Sequence, residues 1–286
     1  MKTLRECIQE AEEKKVALGH FNISNMETLW GIFHAAHTLN VPVIIGLSEG
    51  EGAFFGVKQA RAIVDSIKEE FNYPIYLNAD HSYTFERFKE TVDARFDSAI
   101  IDRAKLTFPE NVAETKKCVS YARSVDPEII VEGELGYIGT SSNVFDVVPE
   151  GVTAENMTKP EEAKTFVDQT GVDLFAPSVG NIHGMLRNMP NPRLDIERIK
   201  NIHREAGVPL VLHGGSGISD ADFKAAIEAG ISIVHINTEI RVGFRKGLEE
   251  GLREMDKEVA PYKFMGRAAL QVEQIVLARL KLFNNL

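Results

Sequence analysis

Two cysteines, Cys7 and Cys118, are all that 286 residues offer, and their spacing fits no metal motif. A disulfide framework and a cysteine zinc site are both excluded, and a reduced, cytosolic protein is the expectation. Cationic excess is missing as well. The net charge of −10 argues against nonspecific binding to nucleic acid or to anionic membranes. It leaves room for an anionic substrate, because a few local donors can hold one phosphate on an acidic protein. Long apolar runs are absent, so no membrane span is expected. The first residues, MKTLRECIQEAEEKK, are charged and helix-like, without the apolar centre of a signal peptide. Low-complexity segments and clear linkers are also lacking. What remains is 44% hydrophobic and 26% charged, a composition that supports a large globular core.

Eight β-prone runs recur, at 16–22, 41–48, 74–81, 98–103, 128–135, 173–180, 209–217 and 231–239. Most are followed by helical periodicity, as in Leu29, Ile32, Phe33, Ala36 and Leu39, which share one helical face. Runs such as Pro209-Leu-Val-Leu-His213 are almost continuously apolar, as strands covered by helices on a parallel sheet must be. Eight β/α alternations in one chain of this length predict an α/β fold, a (β/α)8 TIM barrel spanning 1–286 as a single domain. An open doubly wound sheet is the runner-up. Beyond the eight units an additional C-terminal helix, 267–283, is expected outside the barrel. The stretch 136–160 after strand five is the longest loop-like insertion, and a long βα loop of this kind is expected to act as a lid.

Barrel active sites form at the C-terminal ends of the strands. Of the eight histidines, His34, His37 and His203 fall within helical stretches and are expected to be packing or surface residues. The other five, His20, His81, His183, His213 and His235, sit at or just after strand ends. Three of these would complete a catalytic zinc site with one position left open. The acids follow the same distribution. Asp80 and Asp102 end strands three and four, while Glu132 and Glu134 are two apart on strand five and so share a face. Glu132 is as readily a hydrogen-bonded residue of the barrel interior as a functional one. The turn HGGSGIS at 213–219, with Asn237-Thr238 at the end of strand eight and Gly180-Asn181 after strand six, offers backbone donors where barrels hold phosphate.

The segments NADH, EGELG, VGNIHG, LHGGSGI and HINTE, in this order and spacing, resemble the class II, zinc-dependent ketose-bisphosphate aldolases that act on fructose or tagatose bisphosphate. The likeness runs from GHFNISNMETL near the N-terminus to the C-terminal helix. It implies a homo-oligomeric barrel, a homodimer or homotetramer, that cleaves a phosphorylated sugar, fructose 1,6-bisphosphate first of all, into dihydroxyacetone phosphate and an aldehyde. It implies zinc ligands at His81, His183 and His213, with Asp80 as the acid/base on the C4 hydroxyl. Glu134 and Asp102 would serve a second, more exposed zinc position. Gly180, Gly214, Gly215, Ser216, Asn237 and Thr238 would hold the phosphate, Asn22 and Ser48 would line the pocket, and a monovalent cation (Na+ or K+) would sit nearby.

Four positions depart from the pattern. Gly46 stands where many relatives have glutamine, and Arg103 follows the strand-four aspartate in place of a small residue. Arg103 is either an anion contact or an outward ion-pair former. His235 replaces an asparagine, and its imidazole is a candidate substrate contact. The loop at 139–143 lacks an acid before Asp146, which leaves the carrier of the C3 proton unassigned. Competing readings are a zinc hydrolase on the same barrel, a Schiff-base aldolase using Lys105, and a non-catalytic phosphosugar-binding barrel.

Asp80 and His81 also pose a geometric problem. Neighbours in a regular strand face opposite ways, so both can serve one pocket only if the pleat breaks there. The backbone is therefore expected to leave regular β geometry at Asp80–His81.

Overall fold

A computed structural model describes residues 1–139, 142–150 and 152–286. Among these, eight parallel strands close a barrel: β1 (Leu18–Asn22), β2 (Val43–Ser48), β3 (Ile75–Ser82), β4 (Ser98–Ile101), β5 (Ile130–Leu135), β6 (Leu174–Pro177), β7 (Leu210–Leu212) and β8 (Ile231–Ile236). Each pairs with its neighbours in sequence order, and β1 closes the ring on β8. The eight-unit pattern read from the sequence is thus the fold, and the open sheet is ruled out.

Strand parity sorts the interior into layers. Leu18, Ile44, Tyr76, Ile130, Leu174, Val211 and Ile233 form one inward apolar floor, packed against Leu4, Cys7, Ile8 and Ala11. Those four come from the helix Leu4–Lys14, which therefore closes the N-terminal mouth of the barrel. A capping box between Thr3 and Glu6 starts this helix. The alternate strand residues, among them Phe21, Ile45, Leu77 and Phe175, face outward into the larger core beneath the helices. With one end sealed by apolar packing, polar side chains pointing inward collect at the other.

Between β2 and β3 the chain forms two helices, a short one, Glu49–Phe55, and then Val57–Phe71. Ser48 and Glu51 make a capping box that starts the first, and Gly56, at φ 92°, separates the two. The stretch 136–160 is not wholly loop. Val144–Phe145 pairs with Met185–Leu186 as a two-stranded ribbon, and Ala154–Asn156 is a 3-10 turn. Thr140 and Ser141, part of the acid-free stretch at 139–143, lie outside the described residues, as does Gly151.

The C-terminal helix Gly266–Phe283 packs outside the barrel, against Met26–Leu39 and Thr238–Glu254. Its buried face carries Ala268, Val272, Val276, Leu280 and Phe283. Close approach depends on Gly247, where a Cβ would stand 2.6 Å from the Arg267 carbonyl oxygen. Gly247→Val is expected to destabilise the protein by about 1–3 kcal/mol through overpacking, read as a lower urea midpoint. An unchanged midpoint would show that the helix yields without cost.

Candidate active site

The parity of β3 places Tyr76, Asn78 and Asp80 inside the barrel and Ile75, Leu77 and Ala79 outside. His81 would continue the outward row. Instead it adopts φ 53°, and the β3–β4 register slips between Ala79 and Ser82. A left-handed conformation costs a residue with a Cβ about 1–2 kcal/mol, so the surroundings must hold it. The result is that Asp80 and His81 serve one pocket, as the two-role reading of this strand end requires.

Three imidazoles converge there. His81 comes from β3, His213 from the end of β7, and His183 from the loop after β6. His81 Nε2 and His213 Nδ1 stand 3.0 Å apart. One nitrogen from each of the three lies within 4.8 Å of the others. Their opposite nitrogens are all engaged. His81 Nδ1 is 3.0 Å from Asp102 Oδ2 and 3.5 Å from Glu134 Oε2. His183 Nδ1 donates to the Gly139 carbonyl at 2.7 Å, and His213 Nε2 meets Glu132 Oε1 at 2.6 Å. With protons on these outer nitrogens, the inner ones aim lone pairs at a common point. A single proton or a bound cation between these two nitrogens can join them at this 3.0 Å separation. Ligands of a tetrahedral zinc ion sit about 3.4 Å apart, so the donor set and its orientation fit that metal.

The electrostatics agree. Burial opposes a charged His81, yet Asp80, Asp102 and Glu134 outweigh it and raise its pKa to about 10. Burial, with help from His81, takes His183 down to about 4. Burial together with His235 and His81 holds His213 well below the usual imidazole range. Glu132 is pushed up to about 8 by burial, and Glu134 well above the carboxylate range by burial and the neighbouring Asp102. For Asp80 burial acts upward, but His81 and His235 hold the carboxyl well below its usual range. The pocket concentrates negative charge around one positive site, which is what a bound cation would relieve.

A cavity of about 240 Å³ opens over this cluster. Asn22, Ser48, Asp80, His81, His183, His213, Gly214, Ser216, His235, Asn237 and Thr238 line it. Gly180 and Gly215 do not. Gly180 packs where a Cβ would stand 2.5 Å from the Arg193 carbonyl, and the Gly215 amide donates to the His235 carbonyl. Both glycines act behind the wall, letting loops close up. Arg103 is also outside the cavity. It donates to the Tyr83 carbonyl, pairs with Glu114 at 3.8 Å, and lines an adjacent hollow with Lys105 and Tyr137. Asp102 and Glu134 do meet His81 as a second group of converging donors. The expectation that this position is more exposed fails for Glu134, which is 3% accessible.

Several participants escaped the sequence reading. Glu132, left open there, orients His213. Asn78, two residues before Asp80 on the inner face of β3, holds His20 Nε2 through Oδ1 at 3.0 Å. Glu51 accepts from Asn22 Nδ2, from the Ser48 amide and from Arg241, and Asn22 Nδ2 also donates to Asp80 Oδ2 at 2.8 Å. The Ser-x-x-Glu capping box at 48–51 was the signal for Glu51. The space beside Gly46 is filled by the His20 ring, which rewires the pocket floor there.

A closed parallel barrel with three oriented histidines and a buried aspartate at its C-terminal mouth has the donor set of metal-dependent barrel enzymes. The family model described as fructose-bisphosphate aldolase class-II matches residues 2–286. A probable fructose-bisphosphate aldolase from Bacillus subtilis is 35% identical over 286 residues, covering 99% of this chain and 97% of that protein. A fructose-bisphosphate aldolase from Staphylococcus aureus is likewise 35% identical, covering 99% and 96%. Among solved structures, the YdjI aldolase of Escherichia coli K12 superposes with a TM-score of 0.81 at 28% identity, covering 99% and 97%. The chain belongs to the class II fructose-bisphosphate aldolase family. It is an aldolase, a carbon–carbon lyase.

Glu132→Gln, which weakens the hold on the outer nitrogen of His213, is expected to lower zinc affinity about 10–100-fold. Competition against a chromophoric chelator measures this, and an unchanged affinity would leave Glu132 without this role.

Proposed function

We propose that this aldolase reversibly cleaves a ketose bisphosphate, fructose 1,6-bisphosphate first, to dihydroxyacetone phosphate and glyceraldehyde 3-phosphate, with zinc held by His81, His183 and His213. The convergence of three oriented imidazoles beside Asp80 carries this reading. Bound there, the metal would supply an electrophile for the electron pair that bond cleavage releases.

The protein's own groups do the rest. Asp80, its Oδ2 fixed by Asn22, takes the C4 hydroxyl proton through Oδ1. The C3–C4 bond breaks as C4 becomes a carbonyl, and the electron pair stays with the dihydroxyacetone phosphate half. The phosphate fits the corner made by Gly214, Ser216, Asn237 and Thr238. Ser216 lies beside the start of the helix Thr238–Glu254, its Oγ accepting from the Glu239 amide, and the positive end of that helix faces the corner. Gly180 and Gly215 support this corner from behind, and Ser48 borders the sugar. Binding energy from the phosphate aligns the reacting carbon with Asp80.

His81, Asp102 and Glu134 offer the second zinc position, and a monovalent cation near the phosphate corner belongs to the same reading. A homodimer or homotetramer is supported by exposed apolar side chains near the C-terminus, Val259 at 88% and Tyr262 at 77%. The site is expected to work in the cytoplasm; no described helix is long and apolar enough to cross a membrane. The His20–His235 pair beneath the sugar end favours one second reading, in which the same chemistry serves tagatose 1,6-bisphosphate or another ketose 1-phosphate.

A strong chelator is expected to abolish cleavage of fructose 1,6-bisphosphate, and added zinc or cobalt to restore it. Full activity in chelator would remove the metal from the reaction. Asp80→Ala should keep its zinc while losing about 10²–10⁴-fold in kcat. A near-normal rate would take the base role away from Asp80.

A further inference from the structure

We infer that His235 is the hydrogen-bond donor to the C4 oxygen of the sugar, and that His20, occupying the space left by Gly46, holds it in place. The inference rests on the aldolase reading and goes beyond it to a residue on which the C–C cleavage step depends.

Register pairs His20 on β1 directly with His235 on β8. Their rings stack at 3.4 Å and 5°. Only glycine at position 46 allows this, because a Cβ there would stand 2.2 Å from His20 Cε1. Asn78 fixes the plate. Its Nδ2 donates to Ser98 Oγ at 2.8 Å, so its Oδ1 faces His20 and takes the proton on Nε2. His20 is thus a buried support, held by Asn78 and stacked on His235.

What it supports is a donor beside an acceptor. His235 Nδ1 lies 3.2 Å from Asp80 Oδ1, and both side chains line the cavity. A lone pair on Nδ1 would repel the carboxylate, so the proton sits there. Yet both atoms are buried, and neither has an aligned hydrogen-bond partner. Unsatisfied buried groups are costly, and a native pair of them calls for an explanation. A ligand hydroxyl about 2.8 Å from each satisfies both, giving its proton toward Asp80 Oδ1 and accepting from His235 Nδ1–H.

The C4 hydroxyl is the group that Asp80 must deprotonate. Its proton passes to Asp80, and an electron pair on oxygen forms the C4 carbonyl as C3–C4 breaks. The bond's own pair remains with C3. His235 keeps its proton and donates to the C4 oxygen while negative charge is greatest, as an oxyanion donor does.

The test uses zinc-loaded protein carrying His235→Leu, His235→Asn or Gly46→Ala. Three quantities are read: kcat for fructose 1,6-bisphosphate cleavage, zinc content, and exchange of the C3 proton of dihydroxyacetone phosphate in D2O. Exchange needs the phosphate corner but no C4 oxygen. His235→Leu is expected to lose about 10²–10³-fold in kcat while zinc content and exchange stay close to wild type. His235→Asn, which restores an N–H, should recover part of that loss, and Gly46→Ala, which displaces His20, should lose cleavage selectively. Should His235→Leu fail to fold, the other two variants make the same comparison. Unchanged kcat, or exchange falling in step with cleavage, would overturn the assignment. Wild-type protein that neither cleaves nor exchanges with zinc would overturn the aldolase reading itself, a separate failure.

Discussion

The left-handed turn at His81 is the constraint on which the site hangs. In a continuous strand, Asp80 and His81 would look into different cores, one polar and one apolar. The positive φ brings the imidazole back over the barrel mouth, next to the carboxylate that precedes it. Its strain is borne by what the imidazole then touches: Asp102 on one nitrogen and His213 across the other. In the proposed chemistry, base and metal ligand therefore come from adjacent residues. Adjacent in the chain, the two side chains share one support.

Around this turn the barrel assigns one orienting group to each ligand. Asp102 and Glu134 face His81, the Gly139 carbonyl faces His183, and Glu132 faces His213. The orienting groups come from strands β4 and β5 and from the loop after β5, three consecutive places on one side of the barrel. This explains why the long insertion is pinned to the loop carrying His183 by a two-stranded ribbon. The root of the insertion supplies the carbonyl that faces His183 Nδ1, so anchoring the insertion and aiming the imidazole are one structural task.

On the other side of the barrel, β8, β1 and β2 shape the sugar end. Gly46, His20 and His235 form a unit in which a missing side chain on one strand makes room for a ring on the next, which supports a ring on the third. Glu51 and Asn22 complete the hold on Asp80 from the same side. The division is physical. The acids that orient the three imidazoles lie in one half of the barrel, while the stacked rings beside Asp80 lie in the other.

The amino-acid sequence by itself determined the barrel, because apolar runs alternating with helical periodicity leave few other ways to bury both strand faces. It also pointed to the strand-end histidines and to Asp80, which the barrel brings together at one mouth. Even the break at Asp80–His81 followed from strand parity. Tertiary structure alone decided which glycines face the cavity, because Gly180 packs against the Arg193 carbonyl and Gly215 is tied to the His235 carbonyl, contacts between segments distant in sequence. It decided that Glu132 serves His213, a contact between strands distant in sequence and set by barrel register. It decided that Gly46 opens no space, because the ring that fills it arrives from the neighbouring strand. Local pattern encodes which way a side chain points along its own strand; what it meets there depends on closure of the ring.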